Sequence, residues 1–309
     1  MPTSGEQIMT RQLAGANGQG MALGVEGGEP EPGWSTERTA HTAPADRPAR
    51  WPTRVVRSAR VTVHVVGGLA TTVLVFPWIA APQRQALIQR WCRQLLRMLG
   101  IEAHVHWRHD GGLPGNVLIV ANHISWLDSF VLNALQPARF IAKADLRRMP
   151  VVGRLIANAG TLFIERERRR DTHTVNRQTV EALARGDLVA VFPEGTTSDG
   201  TGLLKFHSSL LQSIVDAEGH MQPVAIRYRT PGDQHCAAPA YVGELSLLDS
   251  FWRVTGERGI RAELHVMPPV PARARHRRDL SRAAEEAIRT ALESPLSVPA
   301  LDRRGDRRA

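Results

Sequence analysis

The chain has 309 residues, of which 42% are hydrophobic and 22% are charged. This length and composition exclude wholesale disorder and allow one large domain or two small ones with a buried core. The two cysteines, Cys92 and Cys236, are too few for a disulfide framework or a four-cysteine zinc site. The formal net charge of +9 favours anionic partners, namely membrane surfaces, phosphates or nucleic acid.

The first 50 residues contain 8 glycines and 5 prolines and show no apolar periodicity. This composition predicts a disordered leader. The leader does not resemble a secretory signal, because no basic segment is followed directly by an apolar core.

An uncharged apolar run follows at residues 61–81, directly after Arg54, Arg57 and Arg60. Its length matches the roughly 20 apolar residues that cross a bilayer core, so it predicts a membrane helix, either spanning or re-entrant. By the positive-inside rule, the arginines of a spanning helix would place the leader in the cytoplasm. A buried core helix is the alternative.

Residues 85–100 have the pattern of an amphipathic, basic helix that ends at Gly100. Apolar residues recur at steps of three and four, and three arginines (Arg90, Arg93 and Arg97) form a second row. The apolar stripe either packs inward, as in a soluble protein, or lies on anionic lipid.

Strand-like and helix-like segments alternate between residues 101 and 272, which predicts a layered α/β domain. Strands are expected at 103–107, 116–121, 161–165, 188–192, 222–228 and 261–266. Helices are expected at 127–134, 172–184 (with Asp171 and Gly186 as caps) and 206–217. Residues 273–309 read as an Arg-rich segment with a short helix at 280–292 and a tail. The expected organisation is therefore a leader (1–50), membrane-anchoring helices (51–100), an α/β domain (101–272) and this C-terminal part.

The segment 117–128, VLIVANHISWLD, is a buried strand followed by polar residues. It delivers Asn122 and His123 to the carboxyl edge of a sheet, where sites of open α/β proteins cluster. Ser125 can cap the next helix, and Asp128 lies in the first turns of that helix. A carboxylate folded back onto one imidazole nitrogen would raise basicity at the other, which can then take a proton from a hydroxyl. The alternative is a capping histidine and a solvated aspartate.

Two further segments place polar residues after strands. Residues 188–200 run from an apolar strand into Pro193, Glu194 and Gly195, and Gly195 would let backbone amides approach a ligand closely. Residues 160–170 end in clustered charges, among which Arg166 is the candidate phosphate ligand. An ordinary βα turn and a solvated charged turn are the respective alternatives. Pro223 opens a further strand or marks a sheet edge.

Other site classes have little support. His104 and His106 share a strand face, but no third zinc ligand lies nearby in sequence. The chain has neither a G-x-S-x-G nucleophile elbow nor a G-x-x-x-x-G-K-[ST] phosphate loop.

Four segments, in this order, resemble the motifs of the glycerolipid acyltransferase family. NHISWLD resembles the N-H-x-S-x-x-D signature, carrying His123 and Asp128. The other motifs are carried by GTLFIER (Gly160, Phe163, Ile164, Arg166), by FPEGT (Pro193, Glu194, Gly195, Thr196) and by QPVAI (Pro223). The segment 140–153, with Lys143, also resembles the region between the first two motifs. The resemblance covers about residues 51–270.

The resemblance implies a membrane-associated enzyme of phospholipid biosynthesis. It would move an acyl group from acyl-CoA or acyl carrier protein to a lysolipid hydroxyl, with no metal and no further cofactor. His123 would be the base and Asp128 its partner, while Lys143, Arg166, Glu194, Gly195 and Thr196 would bind substrate. The expected location is the inner membrane, with the catalytic domain on the cytoplasmic side. Nucleic acid is not an expected partner.

The family pattern is broken at Thr197, where relatives acting on lysophosphatidate often have an arginine. The preferred acceptor is still 1-acyl-sn-glycerol 3-phosphate, which would give phosphatidic acid; another lysolipid such as lyso-ornithine lipid is the alternative. A non-catalytic basic lipid binder and a thioesterase are rival hypotheses.

Overall fold

The computed structural model describes residues 51–110, 112–164 and 169–294, and the side chains of residues 169–172 are not described. The predicted leader and the end of the C-terminal tail lie outside these ranges. The strands are β1 Ile101–Trp107, β2 Val117–Ala121, β3 Arg139–Lys143, β4 Leu162–Ile164, β5 Val189–Val191, β6 His220–Arg229, β7 Ile260–Val266 and β8 Val270–Pro271. The helices are α1 Trp51–Leu74, α2 Ala81–Leu99, α3 Asp128–Leu135, α4 Val152–Asn158, α5 Arg169–Ala184, α6 Gln212–Asp216, α7 Leu247–Gly256 and α8 Arg277–Glu293.

These strands form one mixed sheet in the order β1-β7-β6-β2-β5-β3-β4, with β8 paired to β6. The pairs from β6 to β4 are parallel, whereas β7 is antiparallel to β6 and β1 is parallel to β7. The central strand β2 is buried along all five residues, as the uninterrupted apolar sequence VLIVA predicts for a strand covered on both faces. The α/β layered fold expected from the sequence is confirmed.

Two apolar clusters cover the two faces of the sheet. On one face, α2 packs Cys92, Leu95, Leu96 and Leu99 into the core with α3. On the other face, α8 packs an apolar row onto β6, formed by Leu280, Ala284, Ile288 and Ala291. The apolar stripe of α2 therefore faces inward, and its arginine row faces solvent.

Helix α1 differs from a buried core helix because most of its apolar side chains are exposed. Val63 is 73% exposed and Val66 is 57% exposed, and Trp78 beyond the helix is 86% exposed. The segment Trp51–Trp78 is long and apolar enough to cross a membrane. Gly68 is buried against the indole of Trp91 in α2, where any side chain would collide with the ring.

Helix α1 is fastened to the rest of the protein near both ends. Near its start, Arg57 donates hydrogen bonds to the carbonyls of Thr255 (3.1 Å) and Glu257 (2.7 Å), at the carboxyl end of α7. Near its end, the Thr72 hydroxyl accepts a hydrogen bond of 3.0 Å from Asn158 of α4. A cation beside the unsatisfied carbonyls of a helix end is favourable, so Arg57 supports α7.

Several predicted boundaries are wrong, and four elements were not expected. The strands β3 and β8 and the helices α4 and α7 lie in segments without a clear period. Helix α5 begins at Arg169, so Asp171 lies inside it rather than at its cap, while Gly186 follows its last turn with φ +81°. The helix expected at 206–217 is reduced to α6 and a preceding 3-10 turn, Ser208–Leu211.

Candidate active site

His123 lies just beyond the carboxyl end of β2. The preceding Asn122 is buried and continues the pairing with β6, since its side-chain amide exchanges two hydrogen bonds with the backbone of Ile226 (2.9 and 2.7 Å). The imidazole of His123 stacks on Phe192 with a ring-centroid distance of 4.0 Å. Phe192 directly follows β5, the strand next to β2. Two neighbouring strand ends thus fix the plane of the imidazole.

Asp128 opens α3 and folds back onto His123. Its Oδ2 atom accepts hydrogen bonds from His123 Nδ1 (2.8 Å), Ile124 N (2.7 Å) and Ser125 N (2.9 Å). Its Oδ1 atom accepts one from the hydroxyl of Tyr228 (2.7 Å). The Asp128 side chain is fully buried, whereas that of His123 is 21% exposed. A proton on Nδ1 leaves the lone pair on Nε2 available toward solvent, as a general base requires. The solvated aspartate of the alternative hypothesis is therefore excluded.

Glu194 connects the site to the following loop. Its Oε1 atom accepts a hydrogen bond from His123 N (2.7 Å), and its Oε2 atom accepts one from Leu204 N (3.0 Å). Burial of this carboxyl group raises its pKa to about 7. With both oxygens engaged by backbone amides, Glu194 holds two loops together.

The loop after Glu194 is held directly against His123. Gly195 has φ +76°, a conformation that favours glycine, and it turns the chain back. Ser198 then donates both its amide (2.8 Å) and its hydroxyl (3.2 Å) to the carbonyl oxygen of His123. The hydroxyl of Thr197 donates to the carbonyl of Tyr241, whose amide donates to the carbonyl of Ile124 (2.9 Å).

The remaining predicted site residues are placed less closely. Lys143 ends β3, two strands from β2 at the same edge of the sheet, and its side chain is exposed. Thr196 is exposed on the loop that carries Gly195. Arg166 lies outside the described residues.

The structure adds two residues that sequence reasoning did not single out, Phe192 and Tyr228. In the sequence, each belongs to an apolar run that predicts a strand, so each is expected to be an ordinary core residue. The alternation along β6 puts Tyr228 on the same face as Val224 and Ile226, toward the α2 and α3 side. This period-two pattern is the signal that could have placed Tyr228 beneath the site.

Strand β7 places two possible metal ligands, Glu263 and His265, beside His106 of the predicted histidine pair. His106 of β1 lies opposite His265, and Glu263 lies on the same face of β7. One ligand atom from each of these three residues lies within 4.8 Å of the others. His104 is exposed and contacts Glu102 instead (3.5 Å).

The charges around this cluster nevertheless disfavour a cation. Arg108 lies 3.1 Å from His265 Nδ1 and must donate to it, so the ring proton is on Nε2, where a metal would need a lone pair. Arg229 lies 3.4 Å from Glu263. Burial lowers the pKa of His265, which keeps the ring neutral. The cluster is therefore a set of buried side chains in which Arg108 donates to His265 and Arg229 pairs with Glu263.

An apolar groove of about 300 Å³ runs between α1, α2 and α4. Gly68, Ile88, Trp91 and Leu155 contribute to its walls. Trp91 contacts Phe130 of α3, with a ring-centroid distance of 5.9 Å. Trp91 therefore links the wall of the groove to α3, the helix that begins at Asp128.

Comparisons with known proteins find acyltransferases. A family model described as Acyltransferase matches residues 104–227. A lyso-ornithine lipid O-acyltransferase of Pseudomonas aeruginosa is 36% identical over 77% of this chain and 93% of its own length. A 1-acyl-sn-glycerol-3-phosphate acyltransferase of Neisseria gonorrhoeae is 39% identical over 60% of this chain and 72% of its own length. The crystal structure of the 1-acyl-sn-glycerophosphate acyltransferase of Thermotoga maritima shares the fold, with a TM-score of 0.53 and 21% identity over 78% of this chain and 96% of that one.

Proposed function

This chain belongs to the glycerolipid acyltransferase family and is a lysolipid acyltransferase, and on that premise we propose that His123 is its general base and Asp128 the partner of that base. The observation that carries the proposal is the contact of 2.8 Å between His123 Nδ1 and a fully buried carboxylate. Such a carboxylate fixes the tautomer of the ring and stabilises the imidazolium that forms during the reaction.

The reaction is a direct acyl transfer. Nε2 of His123 takes the proton of the lysolipid hydroxyl as its oxygen attacks the thioester carbon. The tetrahedral intermediate then expels the thiolate, which receives that proton from His123. The donor is an acyl thioester of coenzyme A or of acyl carrier protein, and its chain lies in the groove between α1, α2 and α4.

The oxyanion of the intermediate needs hydrogen-bond donors close to His123. Five nearby backbone amides already have acceptors. The amide of His123 donates to Glu194, and the amides of Ile124 and Ser125 donate to Asp128. The amide of Gly195 donates to the carbonyl of Phe192, and that of Ser198 to the carbonyl of His123. Within the described residues, the amides of Thr196 and Thr197 have no acceptor, and Ser198 holds this turn against His123. These two amides are the proposed donors, and each such bond is worth about 3–4 kcal/mol in acyl transfer.

Replacing His123 tests the assignment. The His123→Ala variant should lose at least about 100-fold in kcat with an acyl thioester and a lysolipid, because the base is removed. Wild-type turnover by a folded variant would refute the proposal. Thiol release that does not depend on added lysolipid would instead indicate a thioesterase.

For the acceptor, lyso-ornithine lipid is the proposed substrate, although the motif resemblance alone favours lysophosphatidate. The position of the phosphate-binding arginine holds Thr197, whose hydroxyl is engaged with Tyr241. The next charged residue of the loop is the exposed Asp199, where hydrogen bonds from Thr201 lower the pKa of the carboxyl group. A carboxylate repels a phosphate dianion and attracts the ammonium group of an ornithine headgroup. The Pseudomonas relative, matched over 93% of its length, agrees with this choice.

A second candidate acceptor is 1-acyl-sn-glycerol 3-phosphate, which the Neisseria relative favours. A direct comparison of kcat/KM for the two acceptors decides between them. Thr197→Arg should shift the ratio toward lysophosphatidate by about tenfold or more, since it adds a bidentate donor. Asp199→Asn should lower turnover of lyso-ornithine lipid only. A wild-type preference for lysophosphatidate would reverse the assignment.

We propose that the enzyme is associated with membranes and that α1 lies in the membrane interface rather than across the bilayer. A helix of 24 residues is about 36 Å long, yet both its ends contact the same α/β domain. A spanning helix would carry one end to the opposite side of the bilayer. The exposed valines of α1 would then enter the lipid, on the cytoplasmic side of the inner membrane.

Liposome flotation tests this attachment. The double variant Val63→Glu and Val66→Glu should lose binding, because two charges would enter the apolar layer. Arg282→Glu on the exposed side of α8 changes the net charge equally and should still bind. Equal binding by all three proteins would refute attachment through α1.

A further inference from the structure

The hydroxyl group of Tyr228 lies behind the carboxylate that supports His123. Tyr228 is 1% exposed and sits in the apolar cluster beneath the site. Its hydroxyl donates a hydrogen bond of 2.7 Å to Asp128 Oδ1. Burial raises the pKa of this phenol well above 10, so the hydroxyl stays protonated and remains a donor at every working pH.

The position of Tyr228 is fixed independently of the site. Tyr228 lies in β6, and the register of β6 against β7 places it opposite Ala262. Its carbonyl accepts a hydrogen bond of 3.0 Å from the amide of Cys236. The neighbouring Arg227 points to the other face of the sheet and donates to the carbonyl of Ala291 in α8. The phenol is therefore presented to Asp128 by the sheet, and not by the loop that carries His123.

Each oxygen of Asp128 has a different task. Oδ2 receives His123 and two backbone amides, while Oδ1 has Tyr228 as its partner. A hydrogen bond to a carboxylate stabilises its charged form and lowers its affinity for a further proton. A weaker proton acceptor pulls less on the Nδ1 proton of His123. The phenol thus limits how basic the imidazole becomes.

From this arrangement we propose that Tyr228 is a positioning residue of the acyltransferase. It holds the Asp128 carboxylate in the rotamer that accepts the Nδ1 proton of His123, so that Nε2 is the nitrogen that faces the acceptor hydroxyl. This inference rests on the proposed role of His123. It identifies a chain of three side chains, Tyr228, Asp128 and His123, that ends at the reacting hydroxyl.

Among the residues that the structure describes, Glu194 and Cys236 are titratable groups in contact with these three residues. Glu194 contacts the amide of His123 (2.7 Å), and its pKa of about 7 lies in the working range. Burial raises the pKa of the Cys236 thiol, which keeps it neutral. Glu194 therefore titrates in the range of the test, and the design must separate its effect from that of Tyr228.

The test is the pH dependence of kcat/KM in Tyr228→Phe. Without the phenol, the Asp128 carboxylate holds the His123 proton more firmly, so the acidic midpoint should move up by about 0.5–1 pH unit. The loss should reach about 3–10-fold on the acidic side of the midpoint and be small near pH 9, with both KM values within about twofold of wild type. A purely structural role predicts a loss that is equal at every pH.

A double-mutant cycle with Asp128→Asn separates Tyr228 from Glu194. Asparagine has no carboxylate to tune, so Tyr228→Phe should no longer move the midpoint in that background, while Glu194 is unchanged in all four proteins. Ile288→Val, buried on the opposite face of the sheet, is the control for a general loss of stability and should keep the wild-type midpoint.

The outcomes separate the two proposals. If His123→Ala is inactive but Tyr228→Phe has the wild-type profile, the tuning role of Tyr228 is refuted and the general base stands. A uniform loss in Tyr228→Phe, or an equal shift in the Asp128→Asn background, also refutes the tuning role. If His123→Ala remains active, the proposed function itself fails.

Discussion

The substitution Asp128→Asn tests how the site controls the tautomer of His123. In serine proteases the equivalent change costs about 10⁴ in kcat, because the wrong tautomer of the histidine results. Here three donors converge on one oxygen, namely His123 Nδ1 and the amides of Ile124 and Ser125. An asparagine must place its carbonyl oxygen there, since its NH₂ group would face three N–H groups.

The expected loss is therefore small. The NH₂ group of asparagine would point to Tyr228, whose oxygen can accept a hydrogen bond. Geometry and tautomer are retained, and only the negative charge is lost. A hydrogen bond to a charged group is worth about 1.5–3 kcal/mol and a neutral one about 1 kcal/mol. The difference of about 0.5–2 kcal/mol corresponds to a loss of about 2–30-fold in kcat.

Steady-state turnover with saturating lysolipid and acyl thioester measures this loss. The comparison variant is Asp128→Ala, which leaves two backbone amides and the Tyr228 hydroxyl without an acceptor and should lower the free energy of unfolding by about 3 kcal/mol or more. A loss near 10⁴-fold in a stable Asp128→Asn protein would refute the reasoning, because it would mean that the backbone amides do not hold the side chain.

Three further predictions concern the surroundings of the site. Burial raises the pKa of Glu194 from 4.5 to about 7, so the folded state binds an extra proton between these two pH values. Relative to Glu194→Gln, the wild type should therefore lose about 3 kcal/mol of unfolding free energy between pH 4.5 and pH 8, as measured by urea titration. A difference between the two proteins that does not change with pH would contradict the burial argument. Gly68→Val should separate α1 from Trp91 and cost about 1–3 kcal/mol in thermal unfolding, while an unchanged Tm would show that the two helices can move apart. Asn122→Ala should lower the free energy of unfolding by about 2–4 kcal/mol and should also lower turnover, because the backbone of Ile226 loses both hydrogen bonds to the Asn122 side chain. A stable and active variant would show that Asn122 does not hold the end of β2 in place.

The order of helices and strands follows the sequence where a periodic pattern is long. The apolar run of β2, and α2 with its three- and four-residue steps, are found where the pattern places them. The strand β3 was not expected because RFIAK is five residues long with a cation at each end. Such a short run has no period to measure, and only its place between β5 and β4 in the sheet makes it a strand.

The site was predictable in part. The contact between His123 and Asp128 spans five residues, so a strand-to-helix turn suffices to suggest it. The contact between Asp128 and Tyr228 spans 100 residues and depends on β6 lying beside β2. The strand order cannot be read from local pattern, and therefore neither can this partner. For Glu194, the sequence shows only a charged residue after a strand. Such a residue can bind a ligand or can accept hydrogen bonds from nearby loops, and the structure shows Glu194 accepting from the amides of His123 and Leu204.

The arginine contact between α1 and α7 has a consequence for where the chemistry takes place. Arg57 donates to two carbonyls of the catalytic domain, so a helix α1 that lies in the membrane interface as proposed could not tilt or slide without breaking these hydrogen bonds. In that placement, the protein itself would set the height of the imidazole above the acyl layer. The hydroxyl of the lysolipid would have to reach that height while the acyl chain of the lysolipid stays in the lipid layer. Lysolipids whose hydroxyl lies too deep or too shallow would then be poor acceptors, whatever their headgroup.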